Sequence, residues 1–178
     1  WAVIVGIEKY TAKGIKELNY AVDDAEAIQK VLIEQHHFNP DNITLLLNSD
    51  ATKNNIEKGL MNYYRNSDPH DRIIFYFSGH GVTQPTEIGG ETGYLVPVDV
   101  QNIKDIIIDG IDMQSLRRGT DYAKAKHILF LIDACYGGLV ALGPKGIEYK
   151  KVGDANWQKI TKGKARKIIT AGRADEEV

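Results

Sequence analysis

Short apolar runs separated by helical patterns constrain this chain more than any other feature. Trp1 to Ile7, Ile43 to Leu47, Arg72 to Phe77, His127 to Ile132 and Arg166 to Thr170 all have the length and apolar content of strands. Between the first two, Leu18, Ala21, Ala25, Ile28 and Leu32 recur at intervals of three or four, which predicts a helix with one apolar face. Thr52 is placed to cap a second helix, whose apolar face holds Ile56, Leu60, Tyr63 and Tyr64. Strands alternating with helices build βαβ units around a mostly parallel sheet. The expected fold class is α/β.

Other segments read less regularly. Val82 to Thr92 is polar and glycine-bearing, and is expected to be a loop. Gly93 to Asp99 reads as an edge segment, because Pro97 has no N–H to give to a ladder. Asp112 is placed to cap a short helix through Leu116. From Gly137 to Lys164 the pattern dissolves into glycine, lysine and mixed polar residues, a long loop centred on residues 139–164. Loops of that length inside compact domains are usually functional or disordered.

The 178 residues fit one domain, 1–178, that can bury a sizeable core. A formal charge of −2 gives no global field to attract nucleic acid or an anionic membrane. No apolar stretch approaches the roughly 20 residues of a membrane span. One cysteine excludes an internal disulfide and suits a reducing compartment, so a cytoplasmic location is expected. The chain opens without methionine on its first strand, and so reads as a piece of a longer protein.

Two of the apolar runs end in chemistry. Arg72-Ile73-Ile74-Phe75-Tyr76-Phe77 runs into Ser78-Gly79-His80-Gly81, and Ile128-Leu129-Phe130-Leu131-Ile132 into Asp133-Ala134-Cys135-Tyr136-Gly137-Gly138. Open α/β sheets bind ligands at the carboxyl ends of their strands, so neighbouring runs would present a thiol and an imidazole to each other. A thiol needs a nearby base or cation to become a usable thiolate, and histidine supplies both. A buried lone cysteine is otherwise a small inert hydrophobe. The glycines around His80 permit close backbone approach, and the Gly81 N–H is a candidate oxyanion donor.

The remaining histidines are weaker candidates. His36 and His37 fall near a helix end, His70 in a polar turn, and His127 at a strand start.

The paired motifs resemble those of the caspase-like cysteine peptidases, in the branch of metacaspases, paracaspases and bacterial orthocaspases. His80 precedes Cys135 by about 55 residues, close to the histidine-to-cysteine spacing of caspases. The local sequence departs from animal caspases, which carry glutamine where Asp133 stands. The resemblance implies a three-layer caspase-like fold, a mostly parallel sheet flanked by helices. It implies a catalytic dyad of His80 and Cys135, with the backbone N–H groups of Gly81 and Cys135 as oxyanion hole. It further implies an acidic pocket for a basic substrate side chain, with Asp24, Ser78 and Asp133 at the matching positions. Carboxylates and a hydroxyl suit that task, since they form charge-assisted bonds to guanidinium or ammonium groups. An acid following five apolar residues, as Asp133 does, should be paired or at a rim. Asp24 has a plainer explanation as a first-turn acid favoured by the helix dipole.

Three departures from the family pattern stand out. Many metacaspases bind calcium through clustered aspartates, but Asp112 is followed here by Met113, and Leu142 lies where a further acid is expected. No metal or other cofactor is therefore expected. Ala21 replaces a cysteine often found beside the pocket acid. The family's domain also continues past the fifth strand, which implies further domains or a second fragment.

The function expected is a cysteine endopeptidase cleaving after arginine or lysine, with autocatalytic cleavage in the lysine-rich loop. Its partner is a peptide or protein with a basic residue before the cut, and neither nucleic acid nor membrane. Alternatives are a catalytically silent caspase-like interaction module, or a hydrolase of isopeptide or thioester bonds.

Overall fold

The computed structural model describes residues 1–87, 90–134 and 164–171. Within them the chain forms β1 (Ala2–Gly6), α1 (Ala21–Glu34), β2 (Ile43–Leu47), α2 (Lys53–Asn66), β3 (Arg72–Ser78), β4 (Gly81–Pro85), β5 (Glu91–Leu95), α3 (Ile106–Asp109), β6 (Ile111–Asp112), α4 (Met113–Gly119), β7 (His127–Asp133) and β8 (Ala165–Ala171). Among the described residues the main sheet has five strands in the order β2-β1-β3-β7-β8, every pair parallel.

Alternation along the central strands feeds two cores. Val3, Val5, Ile73, Phe75, Phe77, Phe130 and Ile132 face Ile56, Leu60 and Tyr63 of α2 and Met113 and Leu116 of α4. Ala2, Ile4, Tyr76 and Leu131 face Ala25 and Leu32 of α1 on the other side. Helices thus cover both faces, giving three layers. Phe75 and Phe77 are completely buried, and side chains of this kind each contribute about 1.5–3 kcal/mol when taken out of water. Phe75 also meets Phe130 edge-on, with ring centroids 5.8 Å apart.

Both expected caps form: the Thr52 side chain accepts from Asn55 N–H, and the Asp112 side chain from Gln114 N–H. Two local expectations need correction. The helix that was to begin near Leu18 begins at Ala21, after Tyr20 turns into the left-handed region at φ 75°. The segment 82–92, expected as a loop, instead supplies most of β4 and the start of β5, which pair antiparallel with Gly81 opposite Leu95. Sheet order β4-β5-β6 makes β5 central, so Tyr94 and Leu95 are not an edge. Pro97 lies beyond β5, where its missing N–H interrupts no ladder. Polar composition hid the hairpin because β4 is only half-buried and packs on one face, through Val82, against the small cluster of Tyr94, Val96, Val100 and Ile106.

Candidate active site

The site is built where β3 and β7 end together. They are adjacent and in register, with Ser78 opposite Asp133 and Gly6 of β1 on the other side of Ser78. The Gly79 N–H donates to the Asp133 carbonyl at 3.2 Å, so the two strands stay joined one residue beyond β3. His80 therefore leaves the sheet beside the point from which the chain continues to Cys135. Cys135 itself, and the glycine- and lysine-rich segment after it, lie outside the described residues.

His80 is half-buried and held at three atoms. Its N–H donates to the Tyr10 hydroxyl at 2.7 Å, its carbonyl accepts from Val96 N–H at 2.9 Å, and its ring Nε2 lies 2.7 Å from the Lys16 carbonyl. A carbonyl only accepts, so the Nε2 position carries the proton and Nδ1 is the basic nitrogen of the neutral ring.

The Val96-to-His80 bond also decides the direction of the Gly81 amide. Antiparallel pairing alternates, so Gly81 opposite Leu95 falls at a non-hydrogen-bonded position and its N–H points away from β5. Among the described residues β4 is the edge of its sheet, so that N–H faces outward from the described ladder.

On the α1 side of the strand ends lies an acidic group. Ser78 is 5% exposed, Asp133 is half-buried, and Asp24 is exposed on the first turn of α1. Burial pushes the Asp133 carboxyl above an aspartate's ordinary 3.8, and the like charge of Asp24 pushes it further. Tyr76 lies two residues before Ser78 on the same strand face. Its phenol is pushed up to about 12, chiefly by burial and then by Asp133 and Asp24. The structure thus brings together Asp24, Ser78 and Asp133, and adds Tyr76. The like charges of Asp24 and Asp133 disfavour ionising both, which is what a positive group placed near them would relieve.

Packing explains how α1 reaches the strand ends. A methyl group on Gly6 would lie 2.5 Å from the Ala21 carbonyl oxygen and 2.8 Å from the Ala25 side chain, so only glycine lets α1 sit this close. The first turn is tethered by Glu8, whose Oε1 accepts from Val22 N–H at 3.2 Å, a role Tyr20 at the N-cap leaves unfilled.

The other histidines stay apart from this site. His36, His37 and His70 are exposed, and His127 stands at the opposite end of β7, paired with Arg72. Asp112 does not fit a calcium ligand. Its Oδ1 accepts from Gln114 N–H at 2.7 Å, and its Oδ2 takes Ser115 at 3.0 Å and Arg118 at 3.4 Å, while the neighbouring Met113 is buried. Among the described residues no group of three or more His, Cys, Asp or Glu side chains is placed to hold a metal, and no helix is long and apolar enough to cross a membrane.

Sequence reasoning did not find Glu8, Tyr10, Lys16 or Tyr76. Tyr76 had a signal, as a phenol inside an otherwise apolar run. Lys16 had none, because it acts through its carbonyl, which every residue possesses.

The sequence pattern of the caspase domain matches residues 1–175. Metacaspase-2 of Arabidopsis thaliana is 29% identical over 167 residues, covering 88% of this chain and 39% of that protein. Metacaspase-3 of the same plant is 29% identical over 187 residues, covering 97% of this chain and 49% of that protein. This chain therefore spans half or less of the length of these curated relatives. The crystal structure of protein GSU0716 from Geobacter sulfurreducens shares the fold with a TM-score of 0.63 at 19% identity, over 79% of this chain and 52% of that one. With a match that runs from the first strand past the end of β8, this chain belongs to the caspase domain family.

Proposed function

We propose that the chain carries the catalytic site of a cysteine endopeptidase that cuts after arginine or lysine, with Cys135 as nucleophile and His80 as general base. The observation that carries this reading is the register of β3 and β7. Ser78 and Asp133 are partners, and His80 and Cys135 each follow two residues later.

In the proposed mechanism Nδ1 of His80 accepts the Cys135 thiol proton, and the sulfur attacks the scissile carbonyl carbon. The resulting oxyanion is met by the outward N–H of Gly81 and by the N–H of Cys135. Collapse breaks the C–N bond while Nδ1 returns its proton to the departing amine. Nδ1 then takes a proton from water, which attacks the thioester and frees the carboxyl product and the thiol. Nε2 keeps its proton on Lys16 throughout, so the ring works through a single nitrogen. No cofactor enters the scheme, and chelation should leave turnover unchanged.

Specificity falls to the acidic group. Asp24 and Asp133 repel each other without a cation, and a guanidinium or ammonium group relieves both the repulsion and the burial of Asp133. Lys145, Lys150, Lys151, Lys159, Lys162 and Lys164 supply basic residues for self-processing.

The test is hydrolysis of short fluorogenic peptides ending in arginine, lysine or aspartate, with Cys135→Ala and His80→Ala as controls. Arginine and lysine should be cut and aspartate spared. Each control should abolish turnover, and the double variant should be no worse, because the pair acts as a unit. Turnover by folded Cys135→Ala would exclude the covalent route.

A further inference from the structure

The position of His80 is decided by a segment that precedes it by about 70 residues. In a regular antiparallel ladder His80 and Val96 would exchange two backbone bonds. Here Val96 N–H donates to the His80 carbonyl, but the His80 N–H turns to the Tyr10 hydroxyl at 2.7 Å. The Tyr10 ring also packs tilted against the imidazole, with centroids 5.2 Å apart and planes at 45°.

This contact is built in from both sides. A methyl group on Gly79 would lie 2.8 Å from the Tyr10 oxygen, so the glycine before the histidine is what admits the hydroxyl. Tyr10 is flanked by anchored residues. Lys9 N–H donates to Asn48 Oδ1 at 3.2 Å, and the Thr11 hydroxyl to the Val98 carbonyl at 2.7 Å. The backbone that carries Tyr10 is thus fixed on both sides of it.

We propose that Tyr10 is a positioning residue for His80, holding its backbone amide by the hydroxyl and its ring by packing, and so fixing where Nδ1 stands at the end of β3. This rests on the reading of His80 as the base.

The experiment compares Tyr10→Phe and His80→Ala with the wild type in the full-length protein. One measurement is steady-state hydrolysis of an arginyl peptide. The other is the rate of Cys135 alkylation by iodoacetamide across pH, which reports the thiolate without needing turnover. Tyr10→Phe keeps the ring and loses one oxygen. Its kcat should fall roughly 10- to 100-fold, as for a misplaced catalytic group, with KM little changed. Its alkylation midpoint should move up toward that of a free thiol, about 8.5. His80→Ala should show the larger upward move.

Wild-type kcat and alkylation profile in Tyr10→Phe, with both altered in His80→Ala, would overturn the role of Tyr10 and leave His80 standing. An unchanged alkylation profile in His80→Ala would instead overturn the reading of His80 and this proposal with it. Should Tyr10→Phe not fold, Gly79→Ala takes its place, since it keeps the hydroxyl but displaces it. The same loss of kcat is then expected, and a wild-type kcat would refute the proposal.

Discussion

Ser78 and Asp133 stand opposite each other on adjacent parallel strands, with the exposed acid of Asp24 on the helix above them. A hydroxyl, a half-buried carboxyl with a raised pKa and a second acid stand in one place, and the two acids repel each other when both are ionised. That repulsion has measurable consequences.

The first concerns stability against pH. The folded-state pKa of Asp133 is raised, so the folded protein binds more protons than the unfolded chain between 3.8 and the raised value. Stability therefore falls as pH rises through that window, and the loss persists above it. Asp133→Asn removes the effect. Thermal melts should show the variant gaining on the wild type from pH 3 to pH 7, and agmatine should narrow the gap by binding the wild-type acid. An equal difference at both pH values would refute the assignment.

Selectivity gives the second. Removing one acid of a charge pair with a bound substrate cation costs on the order of 2–5 kcal/mol. At about 1.4 kcal/mol per tenfold, the ratio of arginine to neutral-residue cleavage should drop roughly 30-fold or more in Asp24→Asn and in Asp133→Asn. A uniform loss on all substrates in Asp133→Asn would point to disturbed Cys135 geometry instead. A wild-type ratio in both variants would end the acidic-pocket reading.

Gly6→Ala tests how α1 is seated. The added methyl must displace the Ala21 carbonyl or the strand, a strain typical of overpacked cores at about 1–3 kcal/mol. Because Asp24 rides on the same turn, the arginine-to-neutral ratio should fall along with the urea midpoint. A destabilised variant with an unchanged ratio would show that α1 placement does not control selectivity.

Glu8→Ala removes the acceptor on Val22 N–H and leaves the first turn of α1 without its tether. The expected cost is that of a lost helix cap, about 0.5–2 kcal/mol. Glu8→Gln retains an acceptor oxygen and should lose less. Equal losses in both variants would mean that charge, rather than the hydrogen bond, is what Glu8 contributes.

By itself, the sequence determined the mostly parallel sheet, the apolar faces of α1 and α2, and the strands β3 and β7 that lead into the two motifs. Those features are written in local periodicity and in apolar runs, which any short window of the chain displays. The caps at Thr52 and Asp112 were legible for the same reason, since a cap acts within one turn. The β4–β5 hairpin was not, because β4 is only half-buried and its pairing depends on the cluster behind it. What only the tertiary structure decided is how the site is held: Tyr10 and Lys16 on His80, Glu8 under α1, and the close seat at Gly6. The Tyr10 and Lys16 contacts join the segment after β1 to His80, 70 and 64 residues along the chain. They arise because β1 lies beside β3 in the sheet, and strand order is a property of the whole fold that no local pattern carries.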